Sequence, residues 1–307
     1  MQEGSKKAII AAFIANLGIA ISKFVGFLLT SSAGLLAESV HSLADTGNQA
    51  LLLFGSKRSA KRPDTRYQFG YGRERYFWSF VVALVLFSMG GLFALYEGIH
   101  KLSDPHETDN LLVAVGILAA AILLETYSLR TAVKEANHIK PKGQSWFKFI
   151  KTAKQPELPV VLLEDAGAEI GLVLALAGVL LSHFTHDPRW DAAGSISIGI
   201  LLVIIAAILA IEMKGLLIGE SALEVDVLKI RSAIESHAKV RHIIHLRTEH
   251  LSPDELLVAT KIEFDHTLSM HDLSVAIDEI EVLIRANVPT AHFIFVEPDI
   301  SRTTILD

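Results

Sequence analysis

Between residues 8 and 215 long apolar runs alternate with short polar connections; beyond 215 the apolar positions recur at finer spacing. Six runs, at about 8–29, 33–55, 77–99, 111–130, 159–182 and 192–213, reach or approach the ~20 residues a helix needs to cross a hydrocarbon core. They predict six membrane-spanning helices. The first run follows "MQEGSKK" with no small-residue cleavage site, so it reads as a retained helix and not as a signal peptide.

The tail patterns differently. "VDVLKIRSAIESHA" and "MHDLSVAIDEIEVLIRANV" carry apolar residues at helical spacing, whereas "HIIHLRTEHL", "ELLVATKIEFD" and "AHFIFVEP" read as strands. The order αββαβ predicts a small antiparallel sheet with both helices on one face, a ferredoxin-like α+β unit. The expected organisation is an all-α six-helix transmembrane domain over 1–215 followed by a cytoplasmic α+β domain over 216–307.

Charge sets the orientation. Lys57, Arg58, Lys61, Arg62, Arg66, Arg73 and Arg75 lie between the second and third runs. Arg130, Lys134, Lys140, Lys142, Lys148, Lys151 and Lys154 lie between the fourth and fifth. The other three connections, "TSS", "HKLSDPHETDN" and "SHFTHDPRWDA", hold one lysine and one arginine between them. The positive-inside rule then places both termini in the cytoplasm, for a multi-pass protein of the cell (inner) membrane. The chain has no cysteine, which removes disulfides, thiolate metal sites and cysteine nucleophiles, and its net charge of −6 argues against a nucleic-acid partner.

Against this apolar background the stretch "AESVHSLADTGNQALLLF" is anomalous. Glu38, His41, Asp45 and Asn48 follow spacings of three, four and three and share one helix face. A charged residue at mid-bilayer costs roughly 2.5–3.5 kcal/mol on insertion scales. Imidazole and carboxylate one turn apart can ligate a divalent transition ion, and alone they serve equally as interhelical hydrogen-bonding groups. The fifth run resolves the choice. "LLEDAGAEIGL" sets Asp165 and Glu169 at the same spacing on a helix of opposite direction, so His41 pairs in level with Glu169 and Asp45 with Asp165. Facing each other, the two helices offer four ligands around one point, and a cation there offsets the repulsion of three carboxylates. Gly34, Ala37, Ala44, Gly47, Ala166, Gly167, Ala168 and Gly171 would let these helices approach closely. Asn16, Lys23 and Glu125 read as structural polar residues, and Glu38 and Glu164 flank the site where they could pass ions or protons toward it.

These motifs, with "RYQFGYGRER" in the basic loop and the αββαβ tail, resemble the cation diffusion facilitator family over nearly the whole chain. "HSLADTGNQALL" and "PVVLLEDAGAEIG" are most similar to its zinc transporter nine branch. The resemblance implies a homodimer, joined through the C-terminal domain, that exports a divalent metal in exchange for protons by alternating access. It carries the transport-site ligands onto His41, Asp45, Asp165 and Glu169. The family's usual zinc pattern has His where Asp165 stands and Asp where Glu169 stands, so the cargo is Zn²⁺ or, alternatively, Mn²⁺, Fe²⁺ or Co²⁺. Many relatives bind a second metal in the basic loop through an Asp and two histidines; here Asp64 is kept but Tyr67 and Tyr71 replace the histidines. Ile244, Lys261, Ser274 and Val296 stand where bacterial zinc members have metal-binding residues in the cytoplasmic domain. Neither secondary site is expected. His237, His242, His245, His250, His266, His271 and His292 are scattered over the tail and most read as surface residues, while His183, His186 and Asp187 read as a solvated turn.

Two other classes compete. A membrane metal enzyme would need an activated water and a substrate-positioning set, and no further His-rich motif supplies one. A non-transporting scaffold has no use for buried carboxylates. A secondary transporter, not an enzyme and without a resident cofactor, fits the residues.

Overall fold

Each long apolar run becomes a helix that continues past its bilayer-length core into charged flanks, because lysine, arginine and glutamate propagate a helix as readily as leucine does. The computed structural model describes the backbone of residues 3–30, 33–104 and 111–301. Side chains are described there except at 3–9, 11, 12, 15, 26, 27, 29, 30, 33–38, 40 and 41. The chain divides into two units, one of residues 1–61 and 74–214, the other of residues 62–73 and 215–307.

The first unit is helical. It comprises α1 (Glu3–Thr30), α2 (Ala33–Ser59), α3 (Glu74–Val85), a π-helical segment (Leu86–Leu92), α4 (Phe93–Ser103), α5 (Leu111–Ile139), α6 (Trp146–Thr152), α7 (Glu157–Thr185) and α8 (Arg189–Ile218). Among the described residues, three helical stretches are long and apolar enough to cross a membrane: Glu74–Ser103, Leu111–Ile139 and Arg189–Ile218. The other long helices carry many of the buried polar residues, among them Asn16 and Lys23 on α1, Asp45 and Asn48 on α2, and Glu164 and Asp165 on α7, while Arg75 and Ser79 on α3 and Glu125 and Ser128 on α5 are buried as well. Leu112, Leu123 and Tyr127 on α5 and Ile204 and Ile211 on α8 face outward, as a lipid-facing surface requires.

Helix α1 packs on α2 and α5, α2 on α3, and α5 on α7. Glycine brings α8 against the kinked third helix: a Cβ at Gly199 would meet Leu95 N at 2.7 Å and Gly91 O at 3.0 Å. The π segment, with Gly90 and Gly91 inside it, has no counterpart in the hydropathy pattern, since one wide turn leaves the apolar run unbroken. Nor does α6, whose N-cap Ser145 accepts from the Lys148 N–H. The small residues of α7 serve a different contact from the one expected of them. Gly167 and Gly171 face Ile205, Leu202 and Ile198 of α8, and among the described residues no atom of a neighbouring element lies within 4 Å of a Cβ built at Gly47 of α2.

A buried ion pair ties α3 to α7. Arg75 and Glu157 are 4% and 1% exposed, with Arg75 Nη2 2.9 Å from Glu157 Oε2 and the Nε–Oε1 contact closing a two-pronged pair. Removing one partner leaves a bare buried charge, so Glu157→Ala should cost about 3–5 kcal/mol, whereas replacing both residues by apolar ones should recover much of that loss. Thermal unfolding of the two variants in detergent checks this.

In the second unit, α9 (Glu224–Glu235), β1 (Val240–Ser252), β2 (Glu255–Phe264), α10 (Met270–Asn287) and β3 (Ala291–Pro298) follow in the expected order. Alternate residues of β2 point inward, so Leu256, Val258 and Ile262 join Ile230 and Ile234 of α9 and Ile280 and Ile284 of α10 in one core. Both helices therefore cover one face. The sheet order is β1-β2-β3, but the sheet is mixed and not antiparallel as expected: β1 and β2 are antiparallel, and β2 and β3 parallel. The reason is α10. A helix intervenes between β2 and β3, so the chain returns to the starting end before β3 begins.

The middle of the basic loop belongs to this unit. Phe69 stacks edge-on against Phe293 at 5.2 Å, Arg73 pairs with Glu249, and Gly72 sits so close that a Cβ would meet Leu251 O at 2.9 Å.

Candidate metal centre

Helical spacing alone turns Asp45 inward on α2 and Asp165 and Glu169 inward on α7. Asp45 is 5% exposed and Asp165 1%, and their charges act directly on each other. His41 lies on α2, but its side chain, like that of Glu38, is outside the described residues. Among the described residues no three His, Asp or Glu side chains converge closely enough to hold a metal ion. The structure thus brings Asp45 and Asp165 into electrostatic contact and leaves the closure of a four-ligand shell undescribed.

Helix α5 forms a third wall, which the spacing of α2 and α7 gives no hint of. Ser128 Oγ donates to Asp165 Oδ2 at 2.7 Å, and Thr126 Oγ1 lies 2.8 Å from Glu169 Oε1. The Thr126 hydroxyl also lies 2.7 Å from Ile122 O; having one proton, it serves one acceptor at a time. Both α7 carboxylates are therefore oriented from α5, in the manner by which outer hydrogen bonds aim metal ligands. The signal in the sequence is "ETYS" inside an apolar run, a cluster without the four-residue pairing that marked the other two helices.

The flanking polar residues form a ladder across three helices. Asn16 Nδ2 donates to Gln49 Oε1 at 3.4 Å, and Asn48 Nδ2 and Gln49 Nε2 donate to the two oxygens of Glu164 at 2.7 and 3.3 Å. Asn48 and Glu164, parts of the polar stripes, are thus partnered with each other. Lys23 Nζ donates to Ser42 Oγ at 3.0 Å, beside Asp45.

Elsewhere, Asp64, Lys261 and several histidines have partners within the chain. Asp64 Oδ1 accepts from the Arg66 and Tyr67 N–H groups at 2.9 and 2.8 Å, and Oδ2 from the Tyr71 hydroxyl at 2.6 Å. Lys261 Nζ bridges Glu297 and Asp299 at 3.0 and 2.9 Å, and hydrogen bonds to Asp299 and then Glu297 hold its pKa above the ordinary lysine value. His237 and His266 pair with Glu279 and Glu263 at 2.8 and 3.3 Å, and His250 is buried. His186 ends α7 in the left-handed conformation at φ 56°, and Asp187 Oδ1 accepts from the Arg189 N–H, a turn held by the chain itself.

Comparison with known proteins follows the same division. Residues 9–218 match the Cation efflux transmembrane domain, and residues 222–299 the Cation efflux protein, cytoplasmic domain. The human "Proton-coupled zinc antiporter SLC30A9, mitochondrial" is 30% identical over 264 residues, covering 86% of this chain and 46% of that protein. "Metal tolerance protein C4" of Arabidopsis thaliana is 28% identical over 262 residues, covering 85% and 57%. "Magnetosome protein MamB" of Magnetospira sp. (strain QH-2) is 26% identical over 288 residues, covering 90% and 89%. The chain spans about half the length of the first two of these relatives. The membrane-type helices, the carboxylates held among them and the match over residues 9–218 agree, and the chain belongs to the cation efflux (cation diffusion facilitator) family, on a branch like that of zinc transporter nine.

Proposed function

We propose that this protein is a proton-coupled divalent metal efflux transporter, with Zn²⁺ the favoured cargo, working by alternating access as a homodimer joined through residues 216–307. His41, Asp45, Asp165 and Glu169 are the proposed cargo ligands. The observation that carries the reading is the burial of both Asp45 and Asp165 inside one apolar helical unit, with Ser128 donating to the second carboxylate. Two such carboxylates stay buried only if a cation or protons neutralise them. The names of the relatives, a proton-coupled zinc antiporter among them, support the same cargo and coupling. We place the protein in the cell's inner membrane with both termini in the cytoplasm, on the asymmetry of lysine and arginine between connections.

The donor set favours a second reading of the cargo. One imidazole and three carboxylates are harder than the two-and-two sets common at zinc sites, which suits Mn²⁺ or Fe²⁺, whereas a closed tetrahedral shell suits Zn²⁺. Metal-competition flux through the purified protein in liposomes decides between them. In that assay Asp165→His, which replaces a hard oxygen by a softer nitrogen, should shift preference toward Zn²⁺ over Mn²⁺ by several-fold. An unchanged ratio would put selectivity elsewhere.

A further inference from the structure

A cavity of about 30 Å³ opens among α1, α2, α5, α7 and α8, room for roughly one water-sized body. Its polar wall consists of Lys23, Ser42, Asp45 and Glu125; the remainder is glycine, alanine, leucine and isoleucine. Three of these polar residues sit on the helices already discussed, α1 and α2. The fourth stands alone on α5.

Glu125 is 5% exposed, and its Oε2 has no hydrogen-bond partner among the described residues. The hydroxyls one and three residues along the same helix are engaged with Glu169 and Asp165. The negative charges of Asp165, Asp45 and Glu169 act on Glu125, and the charge of Lys23 opposes them. A buried carboxylate oxygen without a donor loses its hydration and gains nothing in return. A purely structural glutamate would be positioned to accept hydrogen bonds at both oxygens, as Glu164 does from Asn48 and Gln49. Glu125 instead keeps a bare oxygen, and it lines a water-sized cavity together with Asp45. A water, a proton or a cation can satisfy such an oxygen, and a divalent cation is the occupant that the neighbouring Asp45 carboxylate also attracts.

We propose that Glu125 is a further cargo-contacting carboxylate, which offers an oxygen from α5 to the divalent cation held at Asp45; this rests on the transport reading above. The consequence is a change of donor set. A fourth carboxylate beside one imidazole makes the shell harder and more than four-coordinate, which disfavours Zn²⁺ relative to Mn²⁺. Glu125 therefore acts as a specificity-determining residue. Lys23 lines the same cavity, with its Nζ donating to Ser42 Oγ.

The test is Zn²⁺/Mn²⁺ competition flux in proteoliposomes of the full chain, comparing the parent, Glu125→Gln, Glu125→Asp and Asp45→Asn. A ratio is insensitive to how much protein folds or inserts. Glu125→Gln keeps the shape and removes the charge, and it should shift preference toward Zn²⁺ by threefold or more, with Glu125→Asp closer to the parent. A smaller shift, or one toward Mn²⁺, overturns the assignment of Glu125. Should Asp45→Asn carry metal as the parent does, or the parent carry neither ion, the transport reading itself fails. Loss of flux in Asp45→Asn with an unshifted ratio in Glu125→Gln condemns the Glu125 inference alone.

Discussion

Asp45→Asn is expected to reduce metal flux to background while leaving a folded, extractable protein. Asp45 is almost wholly buried, lines the cavity, and its charge acts on Glu125, Glu164 and Asp165. Asparagine keeps the size and one oxygen but removes the charge that balances a dication. Losing an outer hydrogen-bond partner of a metal ligand typically costs 10–100-fold in affinity or activity. Ser128→Ala, which takes away only the hydroxyl on Asp165, should fall in that range, and loss of Asp45 itself should exceed it. Radiolabelled or fluorescent-indicator flux in liposomes, beside gel filtration of each variant, separates transport from folding. Wild-type flux by Asp45→Asn would remove the proposed site.

The features legible in the sequence were those with a period. Helical spacing singled out His41, Asp45, Asp165 and Glu169 as candidates because an α-helix repeats every 3.6 residues, and ionisable groups on that repeat stand out from an apolar run; of these, Asp45 and Asp165 are buried in the structure. The strands of the second unit were legible for the same reason, by alternation. What depends on a third element was not. Glu125, Thr126 and Ser128 owe their roles to α7 packing beside α5, and no spacing within α5 encodes that neighbour. Gly167 and Gly171 were recognisable as close-contact residues, yet small size does not say which helix approaches, and the helix is α8. Likewise residues 62–73 read as a basic loop between spans, while Phe69, Gly72 and Arg73 make specific contacts with Phe293, Leu251 and Glu249. The parallel β3 is different. It followed from the helix between β2 and β3, and the connection rule, more than the alternation, was the informative signal.

Abolishing the proton gradient is expected to stop net metal accumulation in inverted vesicles. Ligation requires ionised carboxylates and a neutral imidazole, so metal entry expels any protons the ligands hold. When the metal leaves, the same oxygens and the imidazole nitrogen are open to protons, and several carboxylates in a water-poor bundle repel one another unless something neutralises them. On the proposed reading, metal and protons would be alternative occupants of one site. In the proposed transport cycle, alternating access would convert that competition into exchange. On the acidic side protons take the ligands and metal departs; on the other side metal enters and protons are released. If the exterior is the acidic side, the direction is efflux. Inverted vesicles with an acid lumen should therefore accumulate metal, faster as the lumen is made more acidic, and an ionophore that collapses the gradient should bring uptake to the passive level. The sign is diagnostic, since an alkaline lumen should slow uptake below that of vesicles without a gradient. Equal uptake with and without the gradient, at matched membrane potential and external pH, would make the protein a metal uniporter and would detach the buried carboxylates from any role in proton exchange.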